Sequence, residues 1–519
     1  MSTLQLSALT LTAGLALASL NVFASDTESH GADGDRATPA GSNGGVPLPE
    51  KRSCLNPTTA RLIGSKKMDM PAGMVVDKAG NAYIAGETKG YHDTFYGDIF
   101  LSKMKPDGNM EWMITYGGKQ DDGIHAHDEN TEGDGQPAMV AMDEEGNIYV
   151  VGRGKSHQKL YAGIALKFNP KGELLWNKHY RPNWKNRGSS AAEFHAVKVQ
   201  NGVVHIVGVT SGESQTLVIA LDAKTGETKA RVALDPSRGY NDRLYSLAID
   251  PTGNALYVGG WVGNGGPGLL MKLDFDGQSY AVNWAKTIPL PRGSNFPSMA
   301  IKGEDLYVVA DIHGGSTYSE LHKYNTQKGK MEWVRRYNAG VSNDRTQTHV
   351  VKFVGDDLML AGKVGFSGTH THVDSFGDGF MLLLDKEGSL KREHFFFTGT
   401  NPKSFDAVKD VERHGNDLYV VGWHFGPAVV GEWRNPADYD EIKHSWTEGD
   451  RRDYMAKNAN ITVDDLKKAA KVKDGKQFKE YSFANNIAEY TYFEKPQRGL
   501  LTPGSNSVYF FIFKDYFAK

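Results

Sequence analysis

The sequence predicts an all-β fold: a seven-bladed β-propeller of four-stranded blades, closed by an N-terminal strand, with a mixed helical insertion in the last blade. Three observations carry this prediction. A hairpin string of one design recurs seven times, a second hairpin follows each of the first six, and the two chain ends supply strands that complete one another.

The recurring string is a short apolar strand, a Gly/Asn/Asp turn and a second apolar strand, which is the hairpin signal. It reads V-V-D-K-A-G-N-A-Y-I-A-G at 75–86, A-M-D-E-E-G-N-I-Y-V-V-G at 141–152, V-K-V-Q-N-G-V-V-H-I-V-G at 197–208 and A-I-D-P-T-G-N-A-L-Y-V-G-G at 248–260. Weaker copies are I-K-G-E-D-L-Y-V-V-A at 301–310, V-G-D-D-L-M-L-A-G at 354–362 and R-H-G-N-D-L-Y-V-V-G at 413–422. The second hairpin is clearest in D-I-F-L-S-K-M-K-P-D-G-N-M-E-W-M-I-T-Y (98–116), with A-L-K-F-N-P-K-G-E-L-L-W-N-K-H-Y (165–180) and L-H-K-Y-N-T-Q-K-G-K-M-E-W-V-R-R-Y (321–337) as repeats. Residues 216–232, 268–288 and 379–396 are looser copies. Two hairpins give four strands, and a period of about 50 to 66 residues is that of a propeller blade.

The seventh unit is interrupted after its first hairpin. S-V-Y-F-F-I-F-K-D-Y-F (507–517) then supplies a third strand, and T-A-R-L-I-G-S (59–65), ahead of the first repeat, matches a fourth. The N-terminal strand therefore closes the ring and removes the open sheet edges. The pattern D-x-x-G-N-x-Y-V-x-G, then D-x-F-x-x-K, then P-D-G-x-x-x-W-x-x-x-Y-G-G resembles the bacterial β-propeller repeat family called SBBP, over residues 59–429 and 505–519. The copies depart from it at His205 and Met359, where the family has Tyr, and in the missing Trp on the fourth strands of blades three and six. The resemblance implies an exported seven-bladed propeller and little about activity.

The ends and the composition set the compartment. The apolar run L-S-A-L-T-L-T-A-G-L-A-L-A-S-L followed by V-F-A reads as a signal peptide over 1–24, although no Lys or Arg precedes it. The run is too short and too rich in Ser and Thr to span a bilayer. Residues 25–52 read as a disordered leader. The propeller occupies 53–519, and the protein is expected in the periplasm or outside a bacterial cell, with no transmembrane span. The single cysteine, Cys54, rules out an internal disulfide framework and reads as a small buried thiol. A net charge of −3 on 59 basic and 62 acidic residues gives no electrostatic case for nucleic acid or an anionic membrane. The 59 Gly, 23 Phe and 23 Tyr favour strands and tight turns.

In a propeller, the loops joining strand 2 to strand 3 and strand 4 to the next blade lie on one face, and the tight hairpin turns lie on the other. His92, His157, His313, His370, His372 and His424 fall between strands 2 and 3; His125 and His127 fall between blades. His195 (F-H-A-V-K-V) and His349 (T-H-V-V-K-F) enter strand 1, with Asp406 aligned to them in F-D-A-V-K-D-V. Ten of the 17 histidines thus map to the loop-rich face, and the tight turns hold only His414. For any one of them a surface or wet-channel role is the simpler reading. As a set, with H-x-H placing two imidazoles on one side of an extended stretch, they suit a transition metal. The predicted ligands are His125, His127, His195, His349, His370 and His372, with Asp374 or Asp406 as further ligand or base. No G-x-S-x-G elbow, P-loop or vicinal cysteine pair is present, and the Asp-x-x-Gly-Asn strings read as turns rather than calcium loops.

The interruption, 427–504, falls between strands 2 and 3 of blade seven, on the His-rich face. Thr462 and Asp465 open a short helix with a capping box, and seven aromatics (Trp433, Tyr439, Trp446, Tyr454, Tyr490, Tyr492, Phe493) predict an ordered piece, either a lid or a docking surface for a protein partner. A covered metal site in an exported protein points to a copper- or iron-dependent oxidoreductase acting on a small molecule. The alternative is a non-catalytic propeller that binds a protein or polysaccharide at the cell surface. The first requires at least three imidazoles to converge; the second requires them to scatter.

Overall fold

The computed structural model describes residues 57–518, except 65–67, 90–96, 118–122, 124–137, 156–160, 183–191, 211–214, 235–241, 264–266, 289, 291–293, 313–318, 339–345, 365–377, 397–404, 426–439, 445–486, 491–496 and 499–505. The expected signal peptide, the leader, Cys54 and the capping-box helix at Thr462 lie outside the described residues. Among the described residues, no helix is long and apolar enough to cross a membrane.

Seven antiparallel sheets form the blades. Their innermost strands are Asp69–Val76, Val140–Met142, Ala192–Gln200, Arg243–Ile249, Asn295–Lys302, Thr346–Val354 and Phe405–His414. Each inner strand packs beside that of the next blade, and the seventh packs beside the first, so the ring closes. Blade seven runs Phe405–His414, Asp417–Phe425, Asn506–Phe513 and, outermost, Thr59–Ile63. The N-terminal strand pairs antiparallel with Asn506–Phe513 from Thr59↔Ile512 to Ile63↔Val508, as the sequence predicts.

The repeat encodes both the turns and the contacts between blades. In the first hairpin, Asp77 Oδ1 accepts from the amides of Ala79 and Asn81, while Oδ2 takes the Asn81 amide group and the Tyr83 hydroxyl. Asp143 repeats this with Glu145, Asn147 and Tyr149. The carboxylate is consumed by its own turn, which is why these strings are Asx turns. The same tyrosines then meet the tryptophans of strand 4, at ring-centroid distances of 6.0 Å for Tyr83–Trp112, 5.9 Å for Tyr149–Trp176, 6.1 Å for Tyr257–Trp284 and 6.0 Å for Tyr307–Trp333. Each Trp lies against a turn glycine of the following blade: Gly172, Gly226, Gly329 and Gly388 respectively. Trp176 Nε1 and the Tyr149 hydroxyl both donate to the Ala223 carbonyl, and Trp284 Nε1 and the Tyr257 hydroxyl to that of Thr326.

The insertion in blade seven contributes strands rather than helix where it is described. Asp440–His444 pairs with Lys330–Asn338 of blade five, Ile487–Tyr490 with Leu174–Pro182 of blade two, and Gln497–Arg498 with Met110–Tyr116 of blade one. Each adds a fifth strand at the outer edge of its blade. Each also pairs with the half of the outer strand nearest the loop-rich face.

Candidate functional site

Around the channel, the inner strands share one irregularity. The register between strands 1 and 2 shifts between Pro71 and Gly73, Phe194 and Ala196, Leu244 and Ser246, Asn295 and Ser298, Thr348 and Val350, and Val408 and Asp410. A bulge leaves one residue out of the ladder and re-aims its side chain. The extra residues are Ala72, His195, Tyr245, the Phe296–Pro297 pair, His349 and Lys409. His195 and His349 are therefore equivalent, as the sequence suggests. Asp406 is not their counterpart: the bulge puts Lys409 in that place, and Asp406 lies three residues earlier, paired with His424 at the end of strand 2.

The bulges lace the ring. His195 Nδ1 lies 2.6 Å from the Leu244 carbonyl of the next blade, and His349 Nδ1 lies 2.9 Å from that of Val408. Ser246 donates to the Phe296 carbonyl, and Ser298 accepts from Val351 N and donates back to its carbonyl. Met74 N donates to Asp410 Oδ2 across the seam between blades seven and one. Two backbone bonds finish the circuit, Met139 N to the Ala72 carbonyl and Val197 N to that of Ala138. Both histidines thus have a structural task, which the reading of their loops alone does not reveal.

Their second nitrogens differ. His195 Nε2 is 3.6 Å from Glu193 Oε2, so both its ring nitrogens face an acceptor, and the ring stacks on Tyr245 at 4.8 Å. Glu193 also pairs with Arg153, whose guanidinium lies over the Tyr161 ring. Burial pushes the Glu193 carboxyl up, but His195, Arg153 and Arg243 outweigh it and hold it well below the usual carboxylate range. Tyr245 continues to Trp261, which lies under Arg243. Blades two, three and four therefore join in one charged and aromatic cluster at this end of the channel.

His349 has no such neighbour. It is 3% exposed, and among the described residues its Nε2 makes no hydrogen bond. Burial and the Lys409 and Lys363 ammonium groups keep it neutral, well below the ordinary histidine range. With Nδ1–H donated to Val408, Nε2 carries a bare lone pair in a desolvated site. Gln347, two residues earlier, donates to Asp311 of blade five.

His125, His127, His370, His372 and Asp374 lie outside the described residues, and of Asp406 only the strand is described. His424, read as a loop residue, is buried on strand 2 of blade seven. Among the described residues, no group of three or more His, Cys, Asp or Glu is placed to hold a metal ion. The structure brings His349 beside Lys409 and Lys363, and His195 beside Glu193; it places the two histidines on blades three and six.

Below the bulges the channel widens into a cavity of about 820 Å³. Its lining reaches Ser246 and Ser298 but neither His195 nor His349, and extends to the turns at Asp77–Ala79 and Asp143–Gly146. It therefore opens toward the tight-turn face. Lys198, Lys352 and Glu412, each three residues past its bulge, stand in the wall. The strings F-H-A-V-K-V and T-H-V-V-K-F display both lysines beside the histidines, and the shared spacing was the available signal.

No family model matches the chain, and no curated protein matches it. Among solved structures the chain is similar to a europium-containing methanol dehydrogenase, at 11% identity over 73% of this chain and 86% of that one, TM-score 0.42. It is also similar to a quinohemoprotein alcohol dehydrogenase from Pseudomonas putida HK5 (13% identity, 73% and 68% covered, TM-score 0.38). The WD40 repeats of RRP9 match at 10% identity over 76% of this chain and 100% of that one, TM-score 0.40. At these values the likenesses carry no inference about activity.

Proposed function

We propose that the loop-rich end of the channel is the working face of an exported bacterial propeller of the SBBP repeat type, in the periplasm or outside the cell. It binds a transition metal, copper or iron, and acts as an oxidoreductase on a small molecule. One observation carries this reading: among the described residues the buried Nε2 of His349 has no hydrogen-bond partner, while its Nδ1–H is fixed on the Val408 carbonyl. A metal-binding imidazole takes this form, with the far nitrogen held by a carbonyl so that the near lone pair is aimed. His370 and His372, from the loop between strands 2 and 3 of the same blade, would complete the centre. His125, His127 and His195 extend the set toward blades two and three, and Asp374 or Asp406 would serve as ligand or base. Such a metal supplies one-electron redox chemistry. The chain's own part is to keep His349 neutral, hold its ring and exclude water.

The insertion supports a lid in this reading. Its strands sit on blades five and two, on opposite sides of the ring and at the loop-rich end.

A second reading is favoured by Lys409 and Lys363, whose charges act on His349. Two cations beside the bare nitrogen oppose a dication. They suit a non-catalytic face that binds a protein or an acidic polysaccharide instead. Elemental mass spectrometry of the untagged mature protein separates the two. The enzyme reading expects about one equivalent of copper or iron, lost in His349→Ala and in His372→Ala. A metal-free protein that also takes up no added copper would overturn it.

A further inference from the structure

The seam that closes the ring, between blades seven and one, carries a charge cluster that the site proposed above does not use. Asp410 directly follows the bulge of its strand, where the other bulged blades have Gly73, Ala196, Ser246, Ser298 and Val350. It is the one ionisable side chain at this position. Its Oδ2 accepts from Met74 N of blade one at 2.9 Å, and its Oδ1 from Val411 N at 2.8 Å and from Lys352 Nζ of blade six at 2.6 Å. Between blades five and six, Ser298 accepts the matching bond from Val351 N with a hydroxyl. The fold therefore needs an acceptor here and not a charge.

The charges of the cluster do not balance. Lys352 Nζ also holds Glu412 Oε1 at 2.7 Å, so two carboxylates on one face of a strand share a single ammonium. Asp410 is fully buried. Two carboxylates that crowd one cation in such a site resist joint ionisation and titrate as a pair. Burial pushes the Asp410 carboxyl up, Lys352 opposes, Glu412 adds to burial, the Met74 amide opposes in turn, and the balance lies at about 6. Lys352 itself stays charged: burial pulls its amine down, but the two carboxylates outweigh burial and hold it above the ordinary lysine range. Across the channel, Lys198 of blade three feels both carboxylates. On the Asp410 strand, Lys409 acts on His349, and Arg413 donates to the Val354 and Gly415 carbonyls. The other titratable residues of the strands packed beside it lie toward their ends. Asp69, His349, Lys363, Asp378 and His424 are on the loop-rich side, and Asp357 and Asp417 are at the tight turns, held by Lys391 and Lys514.

We infer that Asp410 and Glu412 form a proton-operated clasp: in mildly acidic surroundings the pair takes up one proton, which leaves Lys352 a single full counter-charge, stabilises the seam joining blades six, seven and one, and makes the channel wall more positive by one charge. The folded chain holds this proton more tightly than the unfolded chain, whose aspartate titrates near 3.8. The stability it contributes is therefore fully present below pH 3.8 and is lost as pH rises through 6. From pH 7 to pH 5 the clasp strengthens the folding constant by about tenfold. It opposes the loss that buried His205 and His394, both lowered to about 4, cause over the same interval.

The test is urea unfolding of the full chain in small steps between pH 7 and pH 5, with Asp410→Asn and Glu412→Gln beside the parent. The quantity read is the change in folding constant across the interval, compared between parent and variant. Contributions from His349 and from the buried histidines are common to all three proteins and cancel. Asp410→Asn has no proton to gain, so on acidification it is expected to lose about tenfold more of its folding constant than the parent. Glu412→Gln removes the like charge, so the proton-linked gain is expected to move to lower pH, toward the ordinary carboxylate range. This second variant also carries the test if Asp410→Asn does not fold. An Asp410→Asn profile that parallels the parent's, or a Glu412→Gln gain that stays at the parent's pH, overturns the inference.

Discussion

Blade three carries His205 where the other strong copies carry tyrosine, and its surroundings show how one residue changes the chemistry of a blade. No Trp stands on strand 4, so Tyr280 from the next blade fills the space, with its hydroxyl 2.8 Å from His205 Nδ1, and Phe275 meets the ring edge-on at 4.9 Å. Burial lowers His205 to about 4. The folded state thus holds it neutral while the unfolded chain, near the ordinary 6.5, takes up a proton first. Stability is fully present above pH 6.5 and is lost as pH falls from there toward 4, by about 3 kcal/mol for this one group. His394, lowered to about 4 by burial and then by Arg392, adds to the same window. His205→Phe is expected to remove one such share of the acid sensitivity. Urea unfolding at pH 7 and pH 5 measures it, and the variant should also lose about 1–3 kcal/mol at pH 7 because the Tyr280 hydroxyl is left unpartnered. An unchanged difference between the two pH values would count against His205 as a source.

At the scale of the element, the hairpins were legible because their chemistry is local. The Asx turn of Asp77, the alternation of strand 2 and the Trp of strand 4 are each written within a few residues of the contacts they make. The two departures in strand 4, in blades three and six, were also meaningful. Gly277, in the turn of blade four that follows the Trp-less blade three, would meet nothing within 4 Å, whereas Gly329 would place a Cβ 2.8 Å from Trp284. Both have positive φ, +93° and +58°, so alanine at either is expected to cost about 1–2 kcal/mol through the backbone. Only Gly329→Ala should cost about 1–3 kcal/mol more, through displacement of the indole. Paired thermal melts of the two variants check this, and equal losses would remove the Trp–Gly contact from the account of blade packing. The bulge, by contrast, was not legible. A bulge is set by what the next blade offers, and no local string distinguishes His349 in F-type alternation from one residue pushed out of the ladder. For that reason the sequence aligns Asp406 with the histidines although Lys409 is their true counterpart, and it does not display the histidines' structural bonds to Leu244 and Val408. The fifth strands on blades one, two and five were hidden for a related reason: an edge partner needs only compatible backbone.

For the whole molecule, the circuit of inter-blade bonds makes every blade depend on two neighbours, and one strand pairing fastens the ends. Thr59–Ile63 covers Asn506–Phe513, and the Lys514 amide donates to Thr58 Oγ1 just beyond it. The covered strand has no polar face to offer solvent: from Val508 to Phe513 every side chain is buried. Without the N-terminal strand, its outer edge would present unpaired amides and carbonyls in an apolar six-residue run, which is a template for pairing with a second chain. A protein that begins at residue 66 is therefore expected to unfold at lower temperature and to elute as dimers or larger species in size-exclusion chromatography. One that begins at residue 53 keeps the whole of Thr59–Ile63 and is expected to match the full-length chain. Supplying residues 57–65 as a separate peptide should restore the monomer by occupying the edge. A monomeric, equally stable protein from residue 66 onward would show that the inter-blade lacing alone holds the ring closed.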